Sequence, residues 1–506
     1  MINNISRDYL SEISKIITSL TGLHFSESRL CDLERGIVSA AHDLDFTDTE
    51  NFIEWLKSSR LTRRHIEILA GHLTIGETYF FREKEAFDVL ETAILPELII
   101  SRQGRERRIR IWSAGCSTGE EPYSVAIVVS KLLPDLKDWN ITILATDINP
   151  YAIEKASVGI YSEWSFRNTP SWVKEGYFNR VKNGRYELIP SIKKMVVFES
   201  FNLAEDTYPS LLNNTNAMDI IFCRNVLMYF SDNMSRKVVQ GFYNSLLDGG
   251  WLFVSPTEAY KHISLFFRVV NFNGITLYRK DTKKARIVKD MNHRVIPSYQ
   301  LSCKVEAEYK PPPLVAAEPE VCPDSVQSII IEDIQKPKAD EVHLNTYREA
   351  EVIFNQGLYG DAAERLEGLL LQNKGDPKIT TLLLRAYANQ GRLDNALKWC
   401  EETIFADKLN PVSYYLFAAI LQEQGRFEDA IKSLKKAIYL APDFVLAYFS
   451  LGHIMLRQGN FIQSKKYFKN VRDLLSALSP EEVIPESEGI TAGRLSEVID
   501  SMIYDR

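Results

Sequence analysis

The chain has 506 residues, 45% of them hydrophobic, and this length and composition predict two to four globular domains. Its formal net charge of −7 argues against a general nucleic-acid-binding protein, because such a protein needs a basic face to neutralise phosphates. The six cysteines include no Cys-x-x-Cys pair, which argues against a disulfide framework or a zinc site and favours reduced thiols in a cytoplasmic protein. No apolar run approaches the roughly 20 residues of a membrane span, and the amino terminus does not resemble a signal peptide, so we expect no membrane insertion.

The first segment, residues 1–90, is predicted to be a small helical domain. Apolar and polar residues alternate there at helical spacing, with Thr or Asp before the periodic runs as candidate caps. Two of these runs are "YLSEISKIITSL" and "TENFIEWLKSSRLTRRHIEILAGHL". The second run carries a basic cluster made of Lys57, Arg60, Arg63 and Arg64. This cluster is either a solvated helix face or a surface that attracts an acidic protein partner.

Residues 91–280 are predicted to form an α/β domain around a parallel sheet. From Arg108 onward short β-rich runs alternate with helical segments, which is typical of parallel strands covered by helices on both faces. The runs are "IRIWSA", "ITILATDI", "MVVFESF", "MDIIFCRN" and "GWLFVSP". The last run precedes "FRVVNFNGITLYRK", which predicts an antiparallel hairpin. An excursion at residues 161–194 contains a Lys-Asn-Gly-Arg turn and predicts a small β subdomain.

The rest of the chain divides into a linker, a repeat region and a terminal segment. Residues 281–343 are rich in Pro, Lys and Glu and predict a flexible linker. Beyond it, glycines recur every 34 residues, at Gly357, Gly391, Gly425 and Gly459. Each is followed by a bulky residue and then by a small one, which is alanine in the first three repeats and Ser464 in the fourth. Residues 346–476 therefore resemble the tetratricopeptide repeat family, an all-α solenoid, and residues 477–506 form a C-terminal segment.

The stretch "RIRIWSAGCSTGEEPYS" predicts a strand, a tight turn and a helix that together hold a cofactor. Its glycines, Gly115 and Gly119, fit neither the dinucleotide fingerprint nor a phosphate-binding loop. Glu120 and Glu121 at the helix start would repel a pyrophosphate and attract a cationic ligand. Asp147, at the end of the second strand, can accept both hydrogen bonds of a ribose diol. A cofactor with a ribose, cationic groups and no phosphate is S-adenosylmethionine; the alternative is that the two glutamates only cap the helix.

Five segments, taken in order, resemble the CheR-type family of chemotaxis-receptor methyltransferases over about residues 1–280. They are "TIGETYFFRE", "WSAGCSTGEEPYS", "ATDIN", "FESFNL" and "FCRNVLMYF". The resemblance implies an α/β Rossmann-like S-adenosylmethionine methyltransferase core, with the helical domain before it and the tetratricopeptide solenoid after it. It also implies a protein-glutamate O-methyltransferase that converts receptor glutamates to methyl esters and releases S-adenosyl-L-homocysteine.

The same resemblance implies a set of site residues. Those expected at the cofactor are Gly76, Thr78, Arg82, Glu121, Asp147, Asn202, Leu203, Arg224 and Asn225. Gly76 stands where many relatives have an asparagine, so it is expected to contribute its backbone alone. Arg82 and Tyr229 are expected at the methyl-transfer site, where Arg82 orients the acceptor carboxylate and the Tyr229 hydroxyl positions it. Phe80 and Phe81 are expected in the core, and no metal is expected.

Two other functions fit part of the pattern. The methyltransferase core alone would permit a small molecule or a nucleic acid as the methyl acceptor. Alternatively, the chain is a non-catalytic S-adenosylmethionine-sensing scaffold that acts through its repeats. The repeats carry no methyl-transfer chemistry, so we expect them to bind a protein or peptide partner and to place the enzyme, on its linker, near chemoreceptor cytoplasmic helices. In a second version, the repeats dock on the core and cover its cleft.

Overall fold

The computed structural model describes most of the chain outside the predicted linker. The described residues are 5–58, 61–74, 76–103, 106–259, 262–272, 274–282, 339–372 and 376–504. Residues 283–338, which make up most of the linker predicted at 281–343, lie outside them. The first repeat helix begins at Ala339, inside the range predicted as linker.

Four helices form a small bundle at the amino-terminal end. They are α1 (Arg7–Thr21), α2 (Leu30–Asp43), α3 (Thr49–Ser58) and α4 (Arg63–Leu73). Ser6 caps α1 by accepting the amide of Tyr9, and Gly22 ends the helix with φ 77°, in the left-handed region. The periodic apolar residues of all four helices share one buried core. The predicted helical character of this segment is confirmed.

The central domain is built on a seven-stranded sheet, with a second sheet of three short strands beside it. The strands are β1 (Arg108–Ala114), β2 (Asn140–Asp147), β3 (Ile160–Tyr161), β4 (Phe178–Arg180), β5 (Tyr186–Leu188), β6 (Val196–Ser200), β7 (Met218–Phe222), β8 (Leu246–Phe253), β9 (Arg268–Phe272) and β10 (Ile275–Arg279). The large sheet has the order β6-β2-β1-β7-β8-β10-β9. Its first five strands run parallel, and β10 is antiparallel to both β8 and β9. The predicted parallel sheet and its terminal hairpin are confirmed.

Helices cover both faces of the large sheet. The helices of the central domain, including those of the excursion, are α5 (Lys84–Val89), α6 (Leu95–Arg102), α7 (Glu120–Leu132), α8 (Pro150–Val158), α9 (Ser171–Tyr177), α10 (Pro190–Lys193), α11 (Asp232–Ser245) and α12 (Ile263–Phe266). Ile109 and Ile111 of β1 belong to the buried cluster that contains the apolar face of α7. Trp112 belongs to the opposite cluster, with Phe242 of α11. Both faces of β1 are therefore buried, as its nearly continuous apolar sequence predicts.

The excursion forms the second sheet, in the order β3-β5-β4. Its turn between β4 and β5 places Asn183 and Gly184 at φ 62° and 68°, the conformation that an Asn-Gly hairpin turn requires. Phe80 packs against this subdomain, with its ring centroid 5.1 Å from that of Phe166 and 4.9 Å from that of Tyr161. Phe80 and Phe81 are both buried, so their predicted core positions are confirmed.

Within residues 339–372 and 376–504, eight helices form the repeat region and one further helix follows it. The repeat helices are α13 (Ala339–Asn355), α14 (Tyr359–Gln372), α15 (Pro377–Asn389), α16 (Leu393–Ala406), α17 (Pro411–Glu423), α18 (Phe427–Leu440), α19 (Val445–Arg457) and α20 (Phe461–Leu475). The ninth, α21 (Ala492–Tyr504), was not predicted. Each of the four turn glycines has a positive φ. Ser464 is buried and donates to the Gly452 carbonyl (2.9 Å), so serine fills the small-residue position.

The repeats pack on the central domain at the amino ends of its strands. Glu423, the last residue of α17, lies 2.8 Å from Arg110 and 3.2 Å from Arg108, both on β1. Its carbonyl accepts a hydrogen bond from the side chain of Asn140, the first residue of β2 (2.9 Å). The Tyr359 hydroxyl of α14 donates to the carbonyl of Asn244 in α11 (3.1 Å). The expectation of a repeat module that moves freely on its linker is therefore wrong. The docking of the repeats on the core, expected in the second version, is confirmed, but these contacts lie at the amino ends of the strands and not over the cleft at their carboxyl ends.

Candidate active site

Three of the predicted cofactor residues, Glu121, Asp147 and Arg224, lie at the carboxyl ends of β1, β2 and β7. The chain leaves β1 for β2 on one side and leaves β7 for β8 on the other, although β1 and β7 are neighbours. This reversal opens a crevice beyond the strand ends, where α/β proteins bind their ligands. Asp147 ends β2 at this edge, and its carboxylate accepts the amides of Ser117 (2.8 Å) and Asn149 (2.9 Å). These bonds fix the carboxylate beside the turn that follows β1.

The turn after β1 brings its backbone unusually close to the loop after β7. Gly115 has φ 81°, and its amide donates to the Thr146 carbonyl (2.7 Å). A Cβ at this position would lie 2.3 Å from Val226 Cγ2, so a side chain would have to displace that loop. Only glycine fits here, both for its φ and for this approach. The absence of a side chain at Gly115 thus lets Val226 of the loop after β7 pack against the turn.

The two glutamates at the start of α7 have different surroundings. Glu120 is buried and accepts the hydroxyls of Thr118 (2.6 Å) and Ser165 (2.9 Å), which ties α7 to the excursion. Glu121 accepts the Ser113 hydroxyl (2.8 Å) and lies 3.3 Å from Arg224 Nη1. Burial raises the pKa of Glu121, although Arg224 opposes this shift. Glu121 thus faces the strand ends, an arrangement that helix capping alone does not explain.

Arg224 connects three segments of the site. Its side chain is 2% exposed, and its guanidinium lies 3.0 Å from Glu83 Oε2 as well as 3.3 Å from Glu121. It also donates to the carbonyl of Arg82. Its Nε is buried and has no hydrogen-bond partner among the described residues. The contacts of the other two nitrogens with two carboxylates and a carbonyl hold the segment around Arg82 against β7 and α7.

The segment 76–82 crosses the mouth of the crevice. The Gly76 carbonyl accepts the Ser117 hydroxyl (3.3 Å), and a Cβ on Gly76 would lie 3.0 Å from that oxygen. The Thr78 carbonyl accepts Arg167 Nη1 (3.4 Å). Arg82 is partly exposed, and its Nη1 donates to the Glu77 carbonyl (2.6 Å). Gly76 thus contacts the turn after β1 through its backbone carbonyl.

The remaining predicted residues lie where the central domain meets the amino-terminal bundle. Asn202 is buried and its amide side chain bridges the Leu20 carbonyl (3.2 Å) and the Ala204 amide (3.0 Å). Leu203 is buried in the core beside it. The ring of Tyr229 packs on the amino-terminal core, with the Arg29 guanidinium 4.9 Å from its centroid. The structure therefore gives Asn202 and Tyr229 contacts between domains that the sequence did not predict.

Sequence reasoning missed Glu258, which shapes the loop that carries Asn225 and Tyr229. This buried carboxylate accepts the amides of Asn225 (2.6 Å), Val226 (2.6 Å) and Met228 (3.2 Å), and Asn225 adopts φ 60°. Glu258 also closes a capping box with Ser255. The signal was present, since "SPTE" at 255–258 has the Ser-x-x-Glu pattern of that box.

Two further findings concern the described part of the chain. No group of three or more His, Cys, Asp or Glu side chains among these residues is placed to hold a metal ion. Within the same residues, no helix combines the length and the apolar character that crossing a bilayer needs.

Known families match both halves of the chain. The family model described as "CheR methyltransferase, SAM binding domain" matches residues 76–275 of this chain. Two tetratricopeptide repeat models match residues 347–411 and 418–459. Among solved structures, MamA 41-end from Desulfovibrio magneticus RS-1 overlaps 27% of this chain and 77% of its own, with 18% identity and a TM-score of 0.25.

Curated relatives align with the first half of the chain. It is 34% identical over 265 residues to Chemotaxis protein methyltransferase 2 of Vibrio cholerae serotype O1, covering 52% of this chain and 89% of that protein. It is 33% identical over 259 residues to the Chemotaxis protein methyltransferase of Borreliella burgdorferi, covering 50% of this chain and 89% of that protein.

The fold and the crevice define an S-adenosylmethionine-dependent methyltransferase. With these relatives, the chain belongs to the CheR family of chemotaxis protein methyltransferases, to which it adds tetratricopeptide repeats. Its cofactor is S-adenosyl-L-methionine. The residues present fit this group, because Asp147 can offer a carboxylate to a ribose and Glu121 can offer one to a cationic end at the same edge of the sheet.

Proposed function

We propose that this methyltransferase converts glutamate side chains of chemoreceptor cytoplasmic helices to methyl esters, releasing S-adenosyl-L-homocysteine. The observation that carries the proposal is the position of Arg224. It bonds both to Glu121, on the cofactor side, and to the backbone of Arg82, the residue proposed to receive the acceptor carboxylate. The proposed acceptor places the protein in the cytoplasm.

The site needs no strong general base for this reaction. A glutamate carboxylate is already ionised at neutral pH, so it can attack without losing a proton. S-adenosylmethionine supplies an electrophilic methyl group, whose bond to sulfur breaks as the new oxygen–carbon bond forms. The protein's contribution is alignment of the two reactants and exclusion of water. We assign those tasks to the segment 76–82 and to the loop that Glu258 holds.

Arg82 is suited to bind the acceptor carboxylate because, among the described residues, its side chain donates one hydrogen bond, to the Glu77 carbonyl. A guanidinium carries five N–H donors, and one nitrogen of Arg82 is engaged by the Glu77 carbonyl. The other donors can bind a carboxylate in two-point fashion. Because Arg224 holds the Arg82 backbone, the side chain extends from a fixed point at the crevice mouth. Tyr229, on the loop that Glu258 holds, is proposed to position the same carboxylate.

The basic cluster proposed to attract the receptor is partly engaged. Lys57 pairs with Glu12 (2.6 Å) and lies over the ring of Tyr9. Arg64 is exposed at the start of α4, whereas Arg60 and the side chain of Arg63 lie outside the described residues. Exposed Arg64 remains our candidate for steering an acidic receptor helix.

The test uses the full chain, methyl-labelled S-adenosylmethionine and a purified receptor cytoplasmic fragment. We expect base-labile label on the receptor, and its loss when receptor glutamates are changed to alanine. Label on added RNA or on a small molecule would instead support a different acceptor. Titration with S-adenosylhomocysteine distinguishes the scaffold alternative: binding without transfer to any acceptor would identify a sensor and end the proposal.

A further inference from the structure

A hairpin near the carboxyl end of the chain lies against the repeats. Residues 482–491, here called the finger, lie in the connection between α20 and α21. The Ile484 amide donates to the Ile490 carbonyl (2.9 Å), and the Ala492 amide donates to the Glu482 carbonyl (2.8 Å). Val483 faces Thr491 in an antiparallel bridge. These bonds close the base of the finger and leave residues 485–489 at its tip.

The tip of the finger contacts the first helices of the repeat pairs. Arg385 of α15 donates to the Glu486 carbonyl (3.0 Å), and its Nε lies 3.4 Å from Glu488 Oε1. Ile484 is 2% exposed and lies in the same apolar core as the repeats. Burial raises the pKa of Tyr415 on α17, and the charge of Glu488 adds to this shift. The finger thus lies on a surface of the repeats, here called the repeat groove, that contains Arg385; Tyr347 of α13 and Tyr415 belong to the same apolar cluster as Ile484.

The finger is held in the repeat groove in an unfavourable conformation. Glu486 and Glu488 adopt φ 64° and 61°, in the left-handed region that residues other than glycine rarely enter. The second carboxylate oxygen of Glu488 is buried and has no hydrogen-bond partner among the described residues. A buried, half-satisfied carboxylate is costly. An occupant without these two defects would therefore compete well for the same groove.

Arg385 restricts what that occupant can be. If the finger left and nothing replaced it, the guanidinium of Arg385, now about four-fifths covered, would lose its carboxylate partner. Charge complementarity therefore favours a replacement that brings an anionic group to Arg385. The replacement should also bring an aliphatic side chain to the site of Ile484, four positions before the carboxylate in the finger's own sequence.

We propose that the finger is a built-in competitor in the repeat groove, and that the groove's partner is an acidic protein segment with an aliphatic residue followed four positions later by Asp or Glu. The inference rests on the proposed role of the repeats in binding a protein partner. It does not depend on methyl transfer, because binding is measured without an acceptor.

The probe is a fluorescent peptide with the sequence of residues 479–491, "SPEEVIPESEGIT". It is titrated into the full-length protein and into a variant in which a Gly-Ser segment of equal length replaces residues 484–490. We expect the variant to bind the peptide at least about tenfold more tightly. In wild type the finger occupies the groove, and the apparent Kd is the intrinsic Kd divided by the fraction of molecules whose groove is open. The same peptide with Glu488→Gln should bind the variant about tenfold more weakly, and so should the intact peptide after Arg385→Gln.

A second variant guards against a repeat region that needs the finger to fold. Full-length protein with Glu488→Gln keeps the length of the finger and weakens only its bond to Arg385, so it should bind the peptide more tightly than wild type. Circular dichroism and S-adenosylhomocysteine titration check that both variants fold. The proposal is overturned if neither variant binds more tightly than wild type, if loss of the finger unfolds the repeats, or if Arg385→Gln leaves binding unchanged. A failure of receptor methylation would leave all of these measurements intact.

Discussion

Glu423 of the third repeat pair places its carboxylate 2.8 Å from the guanidinium of Arg110, on the first strand of the methyltransferase domain. The same oxygen lies 3.2 Å from Arg108, and all three side chains are at most 3% exposed. Arg110 also donates to the carbonyls of Asn214 and Asn216. One buried carboxylate thus serves two buried arginines, and the repeats and the catalytic domain form one unit.

Glu423→Ala should destabilise the full chain by about 3–5 kcal/mol, because it leaves buried arginines without their carboxylate. Thermal and urea unfolding measure this change. Asp429→Ala is the matched control, since it removes an acid of the same repeat whose pair with Arg426 is exposed. The control should change stability far less, because water screens an exposed pair. Equal effects would show that the buried cluster does not hold the domains together.

Lys280 should make stability depend on pH. Its ammonium group donates to the Leu246 carbonyl (2.7 Å) at the repeat interface, and burial lowers the pKa of Lys280 to about 7. Between this value and the usual lysine pKa, the unfolded chain binds more protons than the folded one. The free energy of unfolding should therefore rise with pH from about 7 to 10, by at most about 1.4 kcal/mol per pH unit.

The measurement is urea unfolding of wild type and of Lys280→Met across that pH range. The variant should show a smaller rise, and the difference between the two curves isolates the lysine. Lys436→Met is the control, because this exposed lysine lies over the exposed ring of Tyr439. Parallel curves for wild type and Lys280→Met would contradict the prediction.

Glu121→Gln should weaken cofactor binding by about tenfold or more, the usual effect of losing a charge-assisted hydrogen bond. Burial raises the pKa of Glu121. As the pH is lowered, the wild-type affinity for S-adenosylhomocysteine should therefore begin to fall at a higher pH than it would with a glutamate of ordinary pKa. Calorimetric titration with S-adenosylhomocysteine at several pH values measures both effects. Glu91→Gln is the control, because this half-buried acid pairs with the exposed Lys131 and lies outside the predicted site residues. An identical pH profile in Glu121→Gln would remove this residue from the cofactor site.

Arg82→Ala and Tyr229→Phe should lower turnover more than cofactor affinity, since both residues are proposed to act on the acceptor. We expect kcat to fall by about tenfold or more, the cost of lost alignment, with the Kd of S-adenosylhomocysteine changed by less than about threefold. Arg82→Lys should recover part of the loss, because it keeps the charge and gives up the two-point geometry. Wild-type turnover in both Arg82→Ala and Tyr229→Phe would refute the assignment.

Arg494→Ala should raise the KM for S-adenosylmethionine without changing kcat. Arg494 of α21 lies 2.6 Å from Asp206 Oδ1, and the other oxygen of Asp206 accepts the Asn202 amide (2.6 Å). Loss of this support should loosen the loop of Asn202. The KM for S-adenosylmethionine should rise by about threefold to tenfold, a size typical of coupling between sites. Arg365→Ala, in an exposed pair with Glu349, should leave KM unchanged. A fall in kcat with constant KM would contradict this role.

The sequence predicted the sheet and the repeats because their signals are local. Alternating strand and helix patterns recur within a few tens of residues, and the repeat glycines return at fixed spacing. The contact of Glu423 with Arg110 joins residues 313 positions apart, and no local pattern shows such a pairing. A partial signal existed, since two arginines in a strand that is otherwise apolar require buried anions. The sequence likewise shows the capping box of Glu258, but it does not show that Glu258 binds the amides of the loop at residues 225–228.

Strand β1 joins the two functional ends of the molecule. Arg108 and Arg110 at its start are held by the repeats, and Gly115 follows its last residue at the cofactor crevice. A seven-residue strand spans only about 23 Å at 3.3 Å per residue. Hydrogen exchange at the β1 amides should therefore slow when cofactor binds at one end, and should quicken in Glu423→Ala, where the other end is released. One short stretch of backbone would then report on both events in a single peptide of an exchange experiment.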